Sequence, residues 1–251
     1  MKVGLRMKRI TSAMRRAIAD FNMIEKGETI AVGVSGGKDS LTLLAALAQL
    51  RHFDGMDFEV KGLMLEMGFD NCPTDEIAEF CKKINVEFIT KKTEIAQIVF
   101  DVRKESNPCS LCAKMRRGAL NQFAKDNGCD KVALGHHLDD VIETFFLSCY
   151  YEGRLSCFSP VTYLDKMDVT LLRPMIYVTE GEVSGYAKRA NLPVMHNPCP
   201  ADGNTKREFI KQHIKKLEKE VPDVKQHIFG AVKRGLWLPE YENMINGGEL
   251  K

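Results

Sequence analysis

The stretch from Thr29 to Leu50, TIAVGVSGGKDSLTLLAALAQL, decides how the chain is built. Thr29 to Val34 is an apolar, β-branched run, two adjacent glycines follow, and a leucine-rich pattern starts near Ser40, which predicts strand, tight turn and helix. Gly37-Lys38 is the pair found in phosphate-binding loops. A Walker loop requires G-x-x-x-x-G-K followed by Ser or Thr, but Val32 stands where the first glycine belongs and Asp39 where the hydroxyl belongs. The physics of the turn survives that mismatch. Gly36 and Gly37 let the backbone approach a ligand closely, and successive amides at a helix start form an anion-binding nest. Ser35, Lys38 and Ser40 can add donors to a bound phosphate. Asp39 would repel one, and suits the accompanying Mg2+ or an orienting role.

Outward from this stretch, strand-like and helix-like segments alternate. Strands are expected near 29–34, 59–65, 86–90, 131–135 and 169–172, and helices over 40–52, 74–84, 112–127, 138–151 and 180–190. A basic amphipathic helix over 7–24 precedes them, and two helical stretches, 205–220 and 222–234, follow. The pattern predicts an α/β fold: a mostly parallel, doubly wound sheet with N- and C-terminal helical extensions. We divide it as 1–28, a basic N-terminal helix; 29–198, the nucleotide-binding domain; and 199–251, a C-terminal helical extension. In such sheets ligands bind beyond the carboxyl ends of the strands, so each motif directly after a strand is a site candidate.

Composition narrows the setting. The 251 residues are 44% apolar and 28% charged, ordinary for a globular protein with a real core. No run approaches a membrane span and no signal-peptide core is visible, so a cytoplasmic protein without membrane contact is expected. Eight irregularly spaced cysteines argue for reduced thiols or metal ligands over a disulfide framework. Cys81, Cys129, Cys149 and Cys157 lie in or beside apolar-patterned segments and read as small hydrophobes, and Cys72 is placed with them. Net charge is only +2, yet residues 1–16 carry six basic side chains and no acidic one, and residues 204–234 carry nine basic against four acidic. Positive charge gathered at both ends suits a polyanionic partner, or solvated helix faces.

Two further motifs carry chemistry. In KVALGHHLDDVIETFF, residues 131–146, a strand ends at Gly135, and His136, His137, Asp139 and Asp140 gather at the start of the next helix. Such a group can bind a catalytic metal, or can be a helix cap with two structural histidines. In NPCSLCAKMRRGAL, residues 107–120, Cys109 and Cys112 open a helix and are followed by Lys114, Arg116 and Arg117. One C-x-x-C pair cannot complete a tetrahedral site. Cys199, in HNPCPADG, is the natural third thiolate, and His196 could close a zinc site with the three cysteines. Alternatively, the three cysteines could hold an iron-sulfur cluster.

SGGKDS after a strand resembles the pyrophosphate-binding PP-loop, whose enzymes cleave ATP between the α and β phosphates and adenylate a substrate. The ordered set SGGKDS, CSLC with MRRG, GHHLDD, RPM and a late PCP resembles the tRNA 2-thiocytidine synthetase family (TtcA-type) of that superfamily, over roughly residues 8–235. The resemblance departs where CPADGN follows the third cysteine, since many members have a further cysteine there. It implies ATP-dependent replacement of oxygen by sulfur at C2 of an anticodon-loop cytidine. It implies ATP bound by Ser35, Gly36, Gly37, Lys38, Asp39, Ser40, Gly135 and His136, with Lys38, Asp39, Asp139, Asp140 and Arg117 in catalysis. A [4Fe-4S] cluster on Cys109, Cys112 and Cys199 is implied, with one iron left open. Arg116, Lys206, Arg207 and Lys211 would meet tRNA, Mg2+ would accompany ATP, and the sulfur would come from a cysteine desulfurase or free sulfide. A homodimer is the implied assembly. Arg173, at a strand end, either reaches this site or forms a structural ion pair. Two competing readings are a zinc-stabilised ligase of the tRNA lysidine synthetase type and a non-enzymatic ATP-binding module.

Overall fold

The β-branched run that begins at Thr29 is the central strand of a six-stranded sheet. The computed structural model describes residues 2–68, 74–103, 108–195 and 206–238. Strand β1 (Glu28–Val34) pairs in parallel with β2 (Phe58–Glu66) on one side and with β4 (Lys131–Ala133) on the other. β3 (Glu87–Lys92) extends the sheet beyond β2 and β6 (Val169–Leu172) beyond β4, again in parallel, while β5 (Val161–Leu164) runs antiparallel at the edge. The order is therefore β3-β2-β1-β4-β6-β5. The chain winds outward one way through β2 and β3 and the other way through β4 and β6. β1 and β4 flank the point of reversal, where a crevice opens at their carboxyl ends.

Successive strand residues point to opposite faces, and both faces are dry. Ile30, Val32 and Val34 join one apolar core while Ala31 joins another; Val60 and Met64 of β2 face the first, Leu63 and Leu65 the second. This is why the strands read as nearly continuous apolar runs. The larger core is closed by α1 (Lys2–Asp20), α2 (Lys38–Leu50), α6 (Leu138–Leu147) and α7 (Glu180–Arg189), together with α3 (Asp75–Lys83). Ile210 and Ile214 of α8 (Lys206–Glu220) and Phe229 and Val232 of α9 (Val224–Val232) are buried in that same core, as are Ile10 and Met14 of α1. The opposite face is covered by α5 (Pro108–Asp126), through Phe123 and Ala124. Helix α2 is buried on nearly all sides, from Ser40 to Leu50, so the loop leading into it is anchored to an element that cannot slide.

The mostly parallel sheet agrees with the expectation from sequence, with local differences: α1 covers Lys2–Asp20 where 7–24 was expected, α5 starts at Pro108 and not at 112, and three more concern the strands and a short helix. β4 stops at Ala133 instead of Gly135, because a side chain at Gly135 would lie 3.0 Å from the backbone of Asp39 and Ser40; the chain leaves the ladder to pack against the start of α2. β5 was not foreseen: unlike the equally short but buried β6, its residues are half-buried or exposed at the sheet edge, between Pro160 and the turn at Asp165–Asp168. Nor was the short α4 (Ile95–Gln97), which continues into a π-helical turn at Ile98–Arg103. Among the described residues no helix is long and apolar enough to cross a membrane.

Candidate active site

The loops after β1 and β4 meet at the crevice. The first, Ser35 to Ser40, braces itself. The Ser35 amide donates to Ser40 Oγ at 3.1 Å, and the Ser40 hydroxyl donates to the Gly37 carbonyl at 3.0 Å. Gly36 has φ +77°, and a Cβ there would lie 2.7 Å from the Met195 sulfur, so only glycine fits. Met195 in turn donates its amide to the Gly36 carbonyl at 2.9 Å. Gly37 caps α2 with no side-chain hydrogen bond, which leaves the amides of the first turn, and the positive end of the helix, to serve an anion. Lys38 Nζ lies 2.8 Å from Asp39 Oδ1 and 3.5 Å from Glu180 Oε1.

The second loop resolves the alternatives that GHHLDD left open, as far as helix capping goes. His137 is the N-cap of α6: its Nδ1 accepts the Asp140 amide at 3.3 Å, and the Asp140 carboxylate accepts the His137 amide at 2.9 Å. Its Nε2 lies 3.7 Å from Asp39 Oδ1, so this histidine sits between the two loops. His136 packs on Phe158, with ring centres 4.9 Å apart, and burial pushes its pKa down to about 4. Its ring is therefore neutral near pH 7, and Nδ1 meets no partner among the described residues. Asp140 reaches the cleft; Asp139 does not. Expected to face ATP, Asp139 instead accepts the Glu180 amide at 2.6 Å and pairs with Lys225 at 2.9 Å, holding the start of α7 and part of α9. Burial alone would raise its pKa, but the Glu180 amide and the Lys225 ammonium outweigh burial and hold it below the usual range.

Between the loops and α5 lies a cleft of about 390 Å³. Ser35, Asp39, Ser40, Gly135, His136 and Asp140 form one side, Arg116 and Arg117 of α5 another, and leucines 65, 120, 134 and 171 an apolar inner end beside Asn121. This mixture of apolar wall, converging donors and two guanidinium groups suits a nucleotide. Cys112 carries a half-buried thiol near the start of α5, one residue before the cleft-lining Ala113. The side chain of Cys109, and all of Cys72, His196 and Cys199, lie outside the described residues. Burial pushes the thiols of Cys81 and Cys157 up to about 11 and that of Cys129 upward, in keeping with their expected role as small hydrophobes. Cys149 is half-buried.

The basic residues divide. Lys206 sits over the Tyr151 ring at 4.4 Å. Arg207 donates to Glu143 at 2.9 Å and lies 3.4 Å from Asp140, and Lys211 pairs with Glu180 at 2.8 Å. Expected to meet tRNA, Arg207 and Lys211 are paired with carboxylates at or beside the cleft. Arg173 makes no ion pair among the described residues: it donates to the Ser159 carbonyl at 2.6 Å and the Thr162 hydroxyl at 3.0 Å, and lies over Phe158. Burial, helped by the charge of Arg117, lowers its pKa to about 10. Sequence reasoning missed Glu180 and Phe158. In the structure α7 starts with a capping box of Thr179 and Glu182, and nothing in the sequence tied Glu180 to Lys38, 142 positions earlier.

Residues 8–218 match a family described as a PP-loop domain. The chain is 37% identical, over 90% of each sequence, to the tRNA-cytidine(32) 2-sulfurtransferase of Geobacter metallireducens. It is 35% identical to the protein of that name in Ralstonia nicotianae, over 90% of this chain and 73% of that one. In fold it is similar to the U34-tRNA thiolase NcsA from Methanococcus maripaludis, solved with its [4Fe-4S] cluster, at TM-score 0.75 and 23% identity over 98% of this chain and 81% of that one. The chain belongs to the PP-loop family and, within it, to the tRNA-cytidine(32) 2-sulfurtransferases.

Proposed function

We propose that the protein is an ATP-dependent tRNA sulfurtransferase that adenylates the C2 oxygen of an anticodon-loop cytidine, cytidine 32 in its relatives, and replaces that oxygen with sulfur. The observation that carries this reading is the meeting, at one cleft, of the uncapped start of α2, Asp140, and the paired guanidinium groups of Arg116 and Arg117.

Adenylation is chemically required because oxide is a very poor leaving group, whereas AMP is a good one. The C2 oxygen forms a bond to the α phosphorus as the bond from that phosphorus to the bridging oxygen breaks, and pyrophosphate departs with the electron pair. The amides at the start of α2 and Lys38 receive the charge that builds on the departing phosphates, and Arg116 and Arg117 approach it from α5; such preorganised donors are usually the largest catalytic term. Asp39, 2.8 Å from Lys38, would hold Mg2+, which would supply positive charge to the phosphates, and Lys38 would donate to the same phosphates. A sulfur nucleophile then adds to C2, the bond from C2 to the adenylated oxygen breaks, and AMP leaves. His136, being neutral, orients without adding charge.

The sulfur chemistry assigns Cys109, Cys112 and Cys199 to a [4Fe-4S] cluster. The part within the described residues fits: at Cys112 a thiolate would meet the positive end of α5, with Lys114, Arg116 and Arg117 in the turns that follow. When bound, a cluster on three cysteines supplies a Lewis-acidic iron with an open position for sulfide. A cysteine desulfurase or free sulfide supplies the sulfur, and the enzyme works in the cytoplasm as a homodimer. The N-terminal segment, residues 1–28, and the extension, residues 199–251, flank the catalytic domain of residues 29–198 in sequence and contribute to tRNA binding.

Nucleoside mass spectrometry of tRNA from a deletion strain tests this. The wild-type gene should restore 2-thiocytidine. Lys38→Ala, Cys112→Ala and Cys199→Ala should not. Restoration by the cysteine variants would remove the cluster from the reaction.

A further inference from the structure

A group of aromatic rings stands on the surface where α6 ends and α8 begins. Tyr150 is 51% exposed, Tyr151 45% and Phe209 58%. They are not loose. Phe146, packed against the core, meets the Tyr150 ring edge to face at 5.5 Å, and Tyr150 meets His213 at 5.9 Å, with its hydroxyl 3.3 Å from His213 Nε2. His213 stacks on Phe209, with ring centres 6.4 Å apart and planes within 15°. Lys206 lies over Tyr151. Burying such rings in a core would have stabilised the fold, so a braced, exposed set marks an interaction surface.

The chemistry of the surroundings selects the partner. α8 carries Lys206, Arg207, Lys211, Lys215, Lys216 and Lys219 against three glutamates; Arg207 and Lys211 are held by Glu143 and Glu180, and Lys206 stands over the exposed Tyr151 ring. An interface between copies of one chain favours a more apolar centre and few lysines. Rings interleaved with cations instead match the stacking surfaces that hold unpaired bases while neighbouring cations meet phosphates. Position agrees: Arg207, next to Lys206, reaches Asp140 in the cleft wall. Tyr150 lies in the π-helical turn Ser148–Glu152 that continues α6, so the patch and Asp140 of the cleft wall belong to one continuous helical segment.

We propose that Tyr150, Tyr151 and Phe209, braced by His213 and flanked by Lys206, form a stacking platform for the unpaired tRNA nucleotides next to the base held in the cleft. The proposal rests on the sulfurtransferase reading and adds to it the element that splays the anticodon loop. Stacking is indifferent to base identity, so the platform positions the loop and leaves base choice to the cleft.

The test is binding of the anaerobically purified full-length protein to a synthetic anticodon stem-loop RNA and to the same stem closed as a plain duplex, across a salt series. Tyr151→Ala and Phe209→Ala should each weaken stem-loop binding by roughly five- to 150-fold, the range for loss of one base-aromatic stack, with little effect on the duplex. They should leave the salt slope unchanged, while Lys206→Ala should reduce it by about one. Phe209→Tyr should keep affinity and Phe209→Leu should lose it, although both preserve an apolar surface. Because these side chains are exposed, unchanged thermal unfolding is expected in each variant. Equal stem-loop affinity in wild type and both alanine variants overturns the platform while leaving the thiolation reading to its own nucleoside assay. A shift from dimer to monomer in the variants, with RNA affinity unchanged, also overturns it and assigns the rings to a subunit interface.

Discussion

The Lys38 ammonium lies 3.5 Å from the Glu180 carboxylate, and Glu180 is at the same time bound by Lys211 at 2.8 Å and held through its amide by Asp139. The lysine at the phosphate loop is thus already in the field of an acid that also grips α8. Burial would raise the pKa of Glu180, but its contacts with Lys211 and Lys38 outweigh burial and keep it ionised. In the proposed reaction ATP competes with that acid for Lys38. Glu180→Gln should therefore lower the KM for ATP in pyrophosphate release by about two- to fivefold, the scale of a partly exposed ion pair, with kcat little changed. A raised KM would mean that Glu180 supports the nucleotide and does not compete with it.

Gly135 is the point where the two loops touch. Its missing Cβ would fall 3.0 Å from Asp39 C and Ser40 N, atoms of a backbone fixed to a buried helix, so neither side can give. Gly135→Ala should cost about 1–3 kcal/mol of stability, the usual scale of overpacking, and should depress pyrophosphate release more than Gly118→Ala, which meets nothing within 4 Å. Thermal unfolding and a pyrophosphate assay on both variants decide it. Equal behaviour of the two would remove the close approach from the account.

His136 makes stability depend on pH. Its folded pKa, about 4, lies below the unfolded value of 6.5, so between these values the unfolded chain binds more protons and stability rises with pH. The contribution is complete above pH 6.5 and is lost as pH falls toward 4, amounting to about 3 kcal/mol over that interval at 1.36 kcal/mol per pH unit. Urea unfolding at pH 7 and pH 5 should show a smaller difference in His136→Leu than in wild type. An identical difference in both would place the titration elsewhere.

Asn121 is 2% exposed at the inner end of the cleft, and its Oδ1 meets no donor among the described residues. An unpartnered buried oxygen costs about 1–3 kcal/mol, whereas an apolar group of similar shape costs nothing of that kind. Asn121→Leu should raise the thermal midpoint of the nucleotide-free protein. A lower midpoint would show that the amide is already satisfied.

The parallel sheet and its switch point were legible in the sequence because strands buried on both faces leave unbroken apolar runs, and because Gly36-Gly37 and Gly135 punctuate the two that matter. Their position directly after strands marked Ser35 to Ser40 and His136 to Asp140 each as a site candidate, and the resemblance to the PP-loop enzymes implied that they share one site. The division of labour between Asp139 and Asp140 did not: adjacent helix residues point about 100° apart, and only the position of α7 determines which one faces the cleft. The cations of α8 misled for the same reason. Arg207 and Lys211 look like free surface charge in a one-dimensional pattern, and Glu143 and Glu180, which hold them, are brought there by packing between distant segments. β5 stayed hidden because an edge strand of four residues owes its existence to its partner β6 more than to its own composition.

In the proposed reaction one cleft joins ATP cleavage to sulfur insertion on a tRNA base. The most direct measurement is a single anaerobic reaction of the purified protein with ATP, Mg2+, sulfide and tRNA transcript, in which AMP, pyrophosphate and 2-thiocytidine are counted together. The account expects one AMP and one pyrophosphate for each thiolated cytidine, and none of the three from Lys38→Ala. Thiolation without ATP cleavage, or steady AMP and pyrophosphate release with an unmodified tRNA, would contradict it.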